Sequence, residues 1–213
     1  LGLIDNPNPV LQMQNIKDYG KRKRSLVTSY ISIQPIEGLD IKGQFGFDIE
    51  DFTYDWFKPM WVNKKARREA RNEHRNDNKF LYQLTATYNL SFGSHNLDFL
   101  VGASAEEQDW EYTFLDSWDF GSDDIQTFNA ATAFRNWNDY EMEASLQSYF
   151  GRAVYNFDDK YLVNFTIRRD GSSKFGENNK WGVFPAASVA WRLSNDIIDN
   201  PNINQLKIRA SWG

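Results

Sequence analysis

Over residues 39–50, Leu39, Ile41, Gly43, Phe45, Phe47 and Ile49 alternate without a break with Asp40, Lys42, Gln44, Gly46, Asp48 and Glu50. A period of two puts the first set on one face of a β-strand and the second on the other. The pattern returns over 80–92, where Phe80, Tyr82, Leu84, Ala86, Tyr88, Leu90 and Phe92 oppose Gln83, Thr85, Thr87, Asn89 and Ser91. Past Gly93-Ser94-His95-Asn96, the next stretch sets Leu97, Phe99, Val101, Ala103 and Ala105 against Asp98, Gly102, Ser104 and Glu106, with Leu100 intruding on the polar face. Residues 161–170, 183–193 and 206–212 repeat the arrangement, a weaker version covers 143–157, and 26–34 is ambiguous. Eight antiparallel strands are predicted, each with one face free of charge.

The connections fall into two classes that alternate along the chain. Pro35–Gly38, Gly93–Asn96, Asp158–Lys160 and the longer Asn195–Gln205 belong to one class, and roughly 53–79, 107–142 and 171–181 to the other. Short turns at one end and long loops at the other describe an outer-membrane β-barrel, with the turns periplasmic and the loops at the cell surface. A soluble β-sandwich also alternates apolar and polar positions, but its turns recur about every 8–12 residues at both ends. Phe92, Phe99, Phe157, Tyr161 and Trp191 stand close to the short turns and fit an interfacial aromatic girdle, although aromatic residues favour any strand.

Composition agrees with a membrane-embedded sheet. Aromatic residues make up 16% and charged residues 25%, with a mean hydropathy of -0.65. No apolar run approaches the roughly 18 residues of a helical span, whereas a transmembrane strand needs about 9–11 residues with every second one apolar. A net charge of -5 argues against nucleic acid as a partner. The chain has no cysteine, so it offers neither a disulfide framework nor a thiolate metal site. No signal peptide precedes Leu1, and Trp212-Gly213 interrupts a strand-like pattern, so a piece of a larger protein is expected.

Three segments occur in order in the last third: Ser148-Tyr149-Phe150-Gly151-Arg152, Arg168-Arg169-Asp170-Gly171-Ser172-Ser173-Lys174-Phe175-Gly176 and Phe184-Pro185-Ala186-Ala187-Ser188-Val189-Ala190-Trp191-Arg192. They closely resemble the SusC/RagA family of TonB-linked outer membrane proteins, and Leu206-Lys207-Ile208-Arg209-Ala210-Ser211-Trp212-Gly213 continues the match. The resemblance implies a barrel of about 22 strands around a plug domain, of which residues 1–213 would supply about eight. It further implies import of glycans, oligosaccharides or peptides across the outer membrane of Bacteroidota, with TonB and a SusD-like surface lipoprotein as partners. Compared with a complete member, the chain lacks the signal peptide, the plug, the TonB-contacting segment and the closing strands. A secreted carbohydrate-binding β-sandwich or adhesin, and a passive porin, remain the alternatives.

No enzyme is indicated and no cofactor is expected. Asp119-Phe120-Gly121 reproduces a kinase triplet without the glycine-rich or catalytic loops that give it meaning. Asp116, Asp119, Asp123 and Asp124 lack EF-hand spacing and read as a solvated acidic loop. His74 and His95 are the only histidines and fall at opposite ends of the expected topology. Lys64, Lys65, Arg67, Arg68, Arg71 and Arg75, punctuated by Glu69 and Glu73, look like a basic helix with a solvated face, the alternative being contact with a ligand or with lipopolysaccharide phosphates. Trp56, Trp61, Trp110, Trp118 and Trp137 are candidate ligand-contacting loop aromatics, with packing among the loops as the other reading. Register sends Phe45, Phe47, Tyr88, Phe99, Phe165, Ile167, Val189 and Trp191 to lipid, and Arg152, Arg168, Arg192, Lys207 and Arg209 to the lumen and its plug. Pro185 removes a ladder donor, and a bulge near the outer rim is predicted there.

Overall fold

The structure, a computed structural model, describes residues 9–62, 67–176, 179–196 and 205–213. A short helix, α1 (Pro9–Asn15), precedes β1 (Lys17–Ile36), β2 (Leu39–Lys58), β3 (Glu69–Phe92), β4 (His95–Phe120), β5 (Ala131–Phe157), β6 (Tyr161–Ser172), β7 (Trp181–Arg192) and β8 (Lys207–Trp212). All eight strands lie in one sheet in chain order. That meander is the arrangement of a barrel wall. The sandwich alternative needs two facing sheets, and the described residues do not form them.

Every predicted strand is present, but β1 to β5 run well past their predicted ends, to between 20 and 27 residues. Most of the two longest loops is therefore strand. β2 continues to Lys58 and β3 starts at Glu69, while β4 continues to Phe120 and β5 starts at Ala131. The basic run is not helical, for the same reason. Arg71, Glu73 and Arg75 follow one another at the strand period, and Arg71 and Arg75 find partners across the sheet rather than along a helix. Lys64 and Lys65 lie outside the described residues.

The chain divides into two compact units. The first comprises Val27–Phe47, Phe80–Glu107 and Ala144–Gly213. Its turns are tight. Glu37-Gly38 closes β1 onto β2 with Gly38 at φ +80, where a Cβ would stand 2.5 Å from the Asn89 carbonyl oxygen. Asp158 and Asp159 both adopt positive φ, and the Lys160 N–H donates to the Phe157 carbonyl at 2.9 Å, making a type I′ turn.

Beyond that turn the register is unbroken. β5 pairs with β6 from Phe157↔Tyr161 to Leu146↔Ser172, and β6 with β7 from Tyr161↔Trp191 to Gly171↔Trp181. The predicted bulge at Pro185 does not occur, since Pro185 simply faces Ile167. The Arg192 N–H bonds the Lys160 carbonyl and the Ser172 N–H bonds the Lys180 carbonyl, so even-numbered residues of β7 carry the bonds to β6. Odd-numbered Pro185 therefore turns its nitrogen away from β6. Pro185 therefore removes no bond from the β6–β7 ladder, and the register there stays unbroken.

This register puts Tyr161, Val163, Phe165, Ile167, Val189 and Trp191 on one face, and Arg152, Arg168, Arg192, Lys207 and Arg209 on the other. Large apolar side chains stand exposed on the first face, with Phe165 at 46% and Val189 at 53%. In water so continuous an apolar surface would drive association. Against hydrocarbon it is the solvated state.

Near the short turns the rings touch in sequence. Phe92 stacks on His95 at 5.0 Å, His95 meets Phe157 at 4.9 Å, Phe157 stacks on Tyr161 at 6.4 Å, and Tyr161 stacks on Trp191 at 6.1 Å. The polar tips are satisfied together. Asp196 accepts from the Tyr161 hydroxyl at 2.6 Å and from the Trp191 indole N–H at 3.0 Å, and these bonds hold its carboxyl below the ordinary carboxylate range. Amphipathic rings with wet tips are what a membrane interface selects.

The second unit comprises Leu1–Leu26, Asp48–Lys79 and Gln108–Glu143. Phe57, Ala70 and Phe120 form its small core, with Ala130 and Ala131 packed against it. Arg24 holds Asp48 through two bonds of 2.7 and 2.6 Å, and Arg22 pairs with Glu50 at 3.2 Å. From Arg71 to Lys79, β3 has no apolar residue on either face. Such a segment cannot border hydrocarbon, so the lipid-compatible part of β3 begins at Phe80.

Replacing Phe165 by Lys in a full-length receptor carrying this chain is expected to cost about 2–4 kcal/mol, because Phe165 stands midway along the charge-free face. The same change at Tyr161, beside the turn, is expected to cost about 0–1 kcal/mol. Equilibrium urea unfolding in lipid vesicles measures both, and equal costs would refute the assigned depth.

Candidate functional site

In the second unit, Trp56 and Trp118 come together with Tyr54, Arg71, Asp116, Ser117 and Arg135 around a cleft of about 310 Å³. β2 supplies Trp56, the end of β4 supplies Asp116 to Trp118, and β3 and β5 supply the two arginines. Asp116 accepts from Arg71 Nε at 2.7 Å, from Arg71 Nη2 at 2.9 Å and from Asn136 at 3.3 Å. The guanidinium is the main cause that holds the Asp116 carboxyl below its ordinary value of 3.8. The Trp118 ring lies under Arg67 at 4.4 Å and near Arg135 at 5.6 Å. Ser117 is 2% exposed and its hydroxyl has no hydrogen-bond partner among the described residues. Planar guanidinium, carboxylate, hydroxyl and indole together suit a polar solute with some flat apolar surface.

The other candidate tryptophans are placed differently. Trp110 stacks on Tyr112 at 5.8 Å and meets Tyr140 edge-on at 5.3 Å. Trp137 is 72% exposed. The side chain of Trp61 lies outside what the structure describes.

The acidic stretch is not a free solvated loop. Arg67 pairs with Asp119 at 3.2 Å, Arg68 with Asp123 at 2.7 Å and Arg71 with Asp116 at 2.7 Å. Arg68 also donates to the Phe120 carbonyl at 2.8 Å, and the Met60 N–H donates to Asp123 at 3.3 Å. Basic and acidic runs that read separately as solvated faces instead clamp one another and fix the two hairpin tips of this unit. No group able to hold a metal ion occurs among the described residues.

Of the basic residues on the polar face, Arg168 is held by Asp170 at 2.6 Å and by Ser148 at 2.9 Å, and Arg192 lies 3.5 Å from Asp159. Arg192 stands directly opposite Lys207, and Arg209 opposite Ala190. Arg152 faces Thr166 and is exposed.

Residues 4–213 match the family described as TonB dependent receptor-like, beta-barrel. The chain belongs to that family. It is 35% identical over 216 residues to TonB-dependent receptor P3 of Formosa agariphila, covering 99% of this chain. Over 134 residues, 62% of this chain, it is 33% identical to TonB-dependent receptor SusC of Bacteroides thetaiotaomicron. The RagAB peptide transporter superposes with a TM-score of 0.87 over 93% of this chain at 24% identity, a likeness of fold. The SusC/RagA resemblance of residues 148–213 and the outer-membrane location are thereby borne out, and the relatives are receptors and transporters rather than enzymes. The chain spans 21% of the length of receptor P3 and 13% of SusC.

Substituting Asp116 by Asn is expected to destabilise the paired ends of β3 and β4 by up to about 1 kcal/mol, as for a half-exposed ion pair. Because the folded-state pKa is depressed, the contribution is complete above the ordinary carboxylate pKa and is lost as pH falls through the lower folded value. Amide hydrogen exchange across Arg71–Arg75 should therefore separate the two proteins at neutral pH and bring them together in acid.

Proposed function

We propose that this chain forms part of the barrel wall of an energised outer-membrane importer that takes up glycans, oligosaccharides or peptides. Identity of 35% and 33% to two TonB-dependent receptors carries this reading. In it, other parts of the parent protein supply the plug and the TonB-contacting segment, and a SusD-like lipoprotein works at the surface. Phe45, Phe47, Tyr88, Phe99, Phe165, Ile167, Val189 and Trp191 face lipid. Arg152, Arg168, Arg192, Lys207 and Arg209 face the lumen, where carboxylates of the plug or water meet them. The cleft at Trp56 and Trp118 contacts the solute, because its indole rings and its Arg71-Asp116 pair offer stacking and directional hydrogen bonds together. A passive porin would share the wall but would need no energy coupling.

Uptake of fluorescent oligosaccharides and short peptides by cells carrying the full-length receptor tests this reading. Import should stop when TonB is deleted, and continued uptake would favour the porin. With a transported probe, Trp118→Ala is expected to raise the half-saturating concentration about two- to tenfold while leaving the amount of receptor in the membrane unchanged.

A further inference from the structure

From the cleft at Trp56 and Trp118, aromatic rings continue along β4. Trp110, Tyr112 and Phe114 hold the same parity as Trp118, and Trp110 stacks on Tyr112 at 5.8 Å while Tyr112 meets Phe114 at 6.0 Å. On β2, Phe52 and Tyr54 precede Trp56 at the same period. β3 runs between the two rows and supplies the cations. The Arg75 guanidinium lies 5.7 Å from the Phe52 ring and 5.5 Å from that of Tyr112, and Arg71 lies 5.9 Å from Phe114 while it holds Asp116. These contacts across three strands, with the cleft itself, put the rings on one face of the sheet.

Packing does not account for these rows. The small core of this unit is formed by Phe57, Ala70 and Phe120, and the rings of both rows stand outside it, half-buried. Arg75 is not engaged elsewhere, since it forms no ion pair and no hydrogen bond among the described residues and its donors are uncommitted. Half-bare rings beside that guanidinium and beside the Arg71-Asp116 pair offer what a sugar unit needs: a flat apolar surface for its C–H face, and paired groups for its neighbouring hydroxyls. Residues of one parity recur about every 6.6–6.8 Å along a strand, a spacing comparable with one unit of a linear glycan, and from Trp118 to Trp110 the row extends about 26 Å. An extended peptide repeats on a similar scale but joins a sheet at a free edge, and β3 and β4 are each paired on both sides.

On the reading of the cleft as a solute site, on which this inference rests, we propose that the face binds an extended oligosaccharide. One unit occupies the cleft and successive units lie against Phe114, Tyr112 and Trp110, with Arg75 and the Arg71-Asp116 pair bonding their hydroxyls. Affinity then rises with chain length until the row is filled, because units joined in one chain engage successive subsites without a further loss of translational freedom.

The test titrates a purified full-length receptor carrying this chain, in detergent and without TonB, with malto-, manno-, xylo- and agaro-oligosaccharides of about two, four and six units and with peptides of matched length, binding being read by calorimetry. At least one saccharide series should bind the parent about tenfold or more tightly at six units than at two, and W110A/Y112A should remove most of that gain. Tyr112→Phe, which keeps the ring, should retain it. Trp118→Ala should weaken short and long chains alike, so loss of the cleft is distinguishable from loss of the row. Affinity independent of chain length, an equal gain in parent and W110A/Y112A, or binding of peptides alone would overturn the proposal. So would a failure of every saccharide series to bind. Tyr112→Ser alone, at a half-buried position, gives the same comparison with a smaller loss should the double variant not fold.

Discussion

A strand that crosses hydrocarbon has no water to bond its backbone, so every N–H and C=O must be taken by a neighbouring strand. The sheet in chain order answers that demand directly, because each strand from β2 to β7 pairs with the ones before and after it. Unbroken register follows from the same demand. With the charge-free face on lipid, as proposed, a one-residue slip would exchange Phe165 and Val189 for Arg168 and Arg192 there, at a cost of several kcal/mol for a charge at depth. Pro185 is tolerated because its nitrogen faces away from β6, so the ladder it interrupts is not the one joining it to Ile167.

Where lipid dictated the residues, the pattern was readable from the chain alone. Phe45, Tyr88, Phe165 and Ile208 alternate with polar or glycine neighbours because one medium lies on each side of the sheet. The short turns were equally plain: Gly38 marks a positive φ, and Asp158-Asp159 adopts one at both positions. Strand length was less legible, since β3 from Arg71 to Lys79 offers no apolar residue and hence no contrast between its faces. With water on both sides, periodicity disappears although the backbone ladder continues.

The site was legible in its residue types and hidden in its pairings. Trp56 and Trp118 are 62 positions apart, and no local rule brings their strands together at one cleft. The arginines from 67 to 71 and the aspartates from 116 to 123 each look like solvated runs when read singly. Antiparallel pairing of β3 with β4 runs the two segments past one another, so that low numbers in one meet high numbers in the other: Arg71 meets Asp116, and Arg68 meets Asp123. Asp196 gave no signal at all, because its role as the shared acceptor of Tyr161 and Trp191 depends on the chain turning back after β7.

The aromatic residues record where the lipid ends. On β2 they hold odd positions at Phe45 and Phe47, then even positions at Phe52, Tyr54 and Trp56. On β4 the change runs from Phe99 to Trp110, Tyr112, Phe114 and Trp118. A face that leaves hydrocarbon for water can no longer display bare rings, so apart from the buried Phe57 the rings pass to the opposite parity, where cations cover them. Arg75 lies 5.7 Å from the Phe52 ring and 5.5 Å from that of Tyr112, and Arg71 lies 5.9 Å from Phe114. Each such contact contributes about 0.5–1 kcal/mol at an exposed site. A lattice of rings interleaved with guanidinium groups is poor at holding lipid and suited to a hydrated solute that offers both flat apolar faces and hydrogen-bonding groups. In the proposed function, the change of parity separates two tasks along a single strand, bordering the membrane over one stretch and meeting solute over the next.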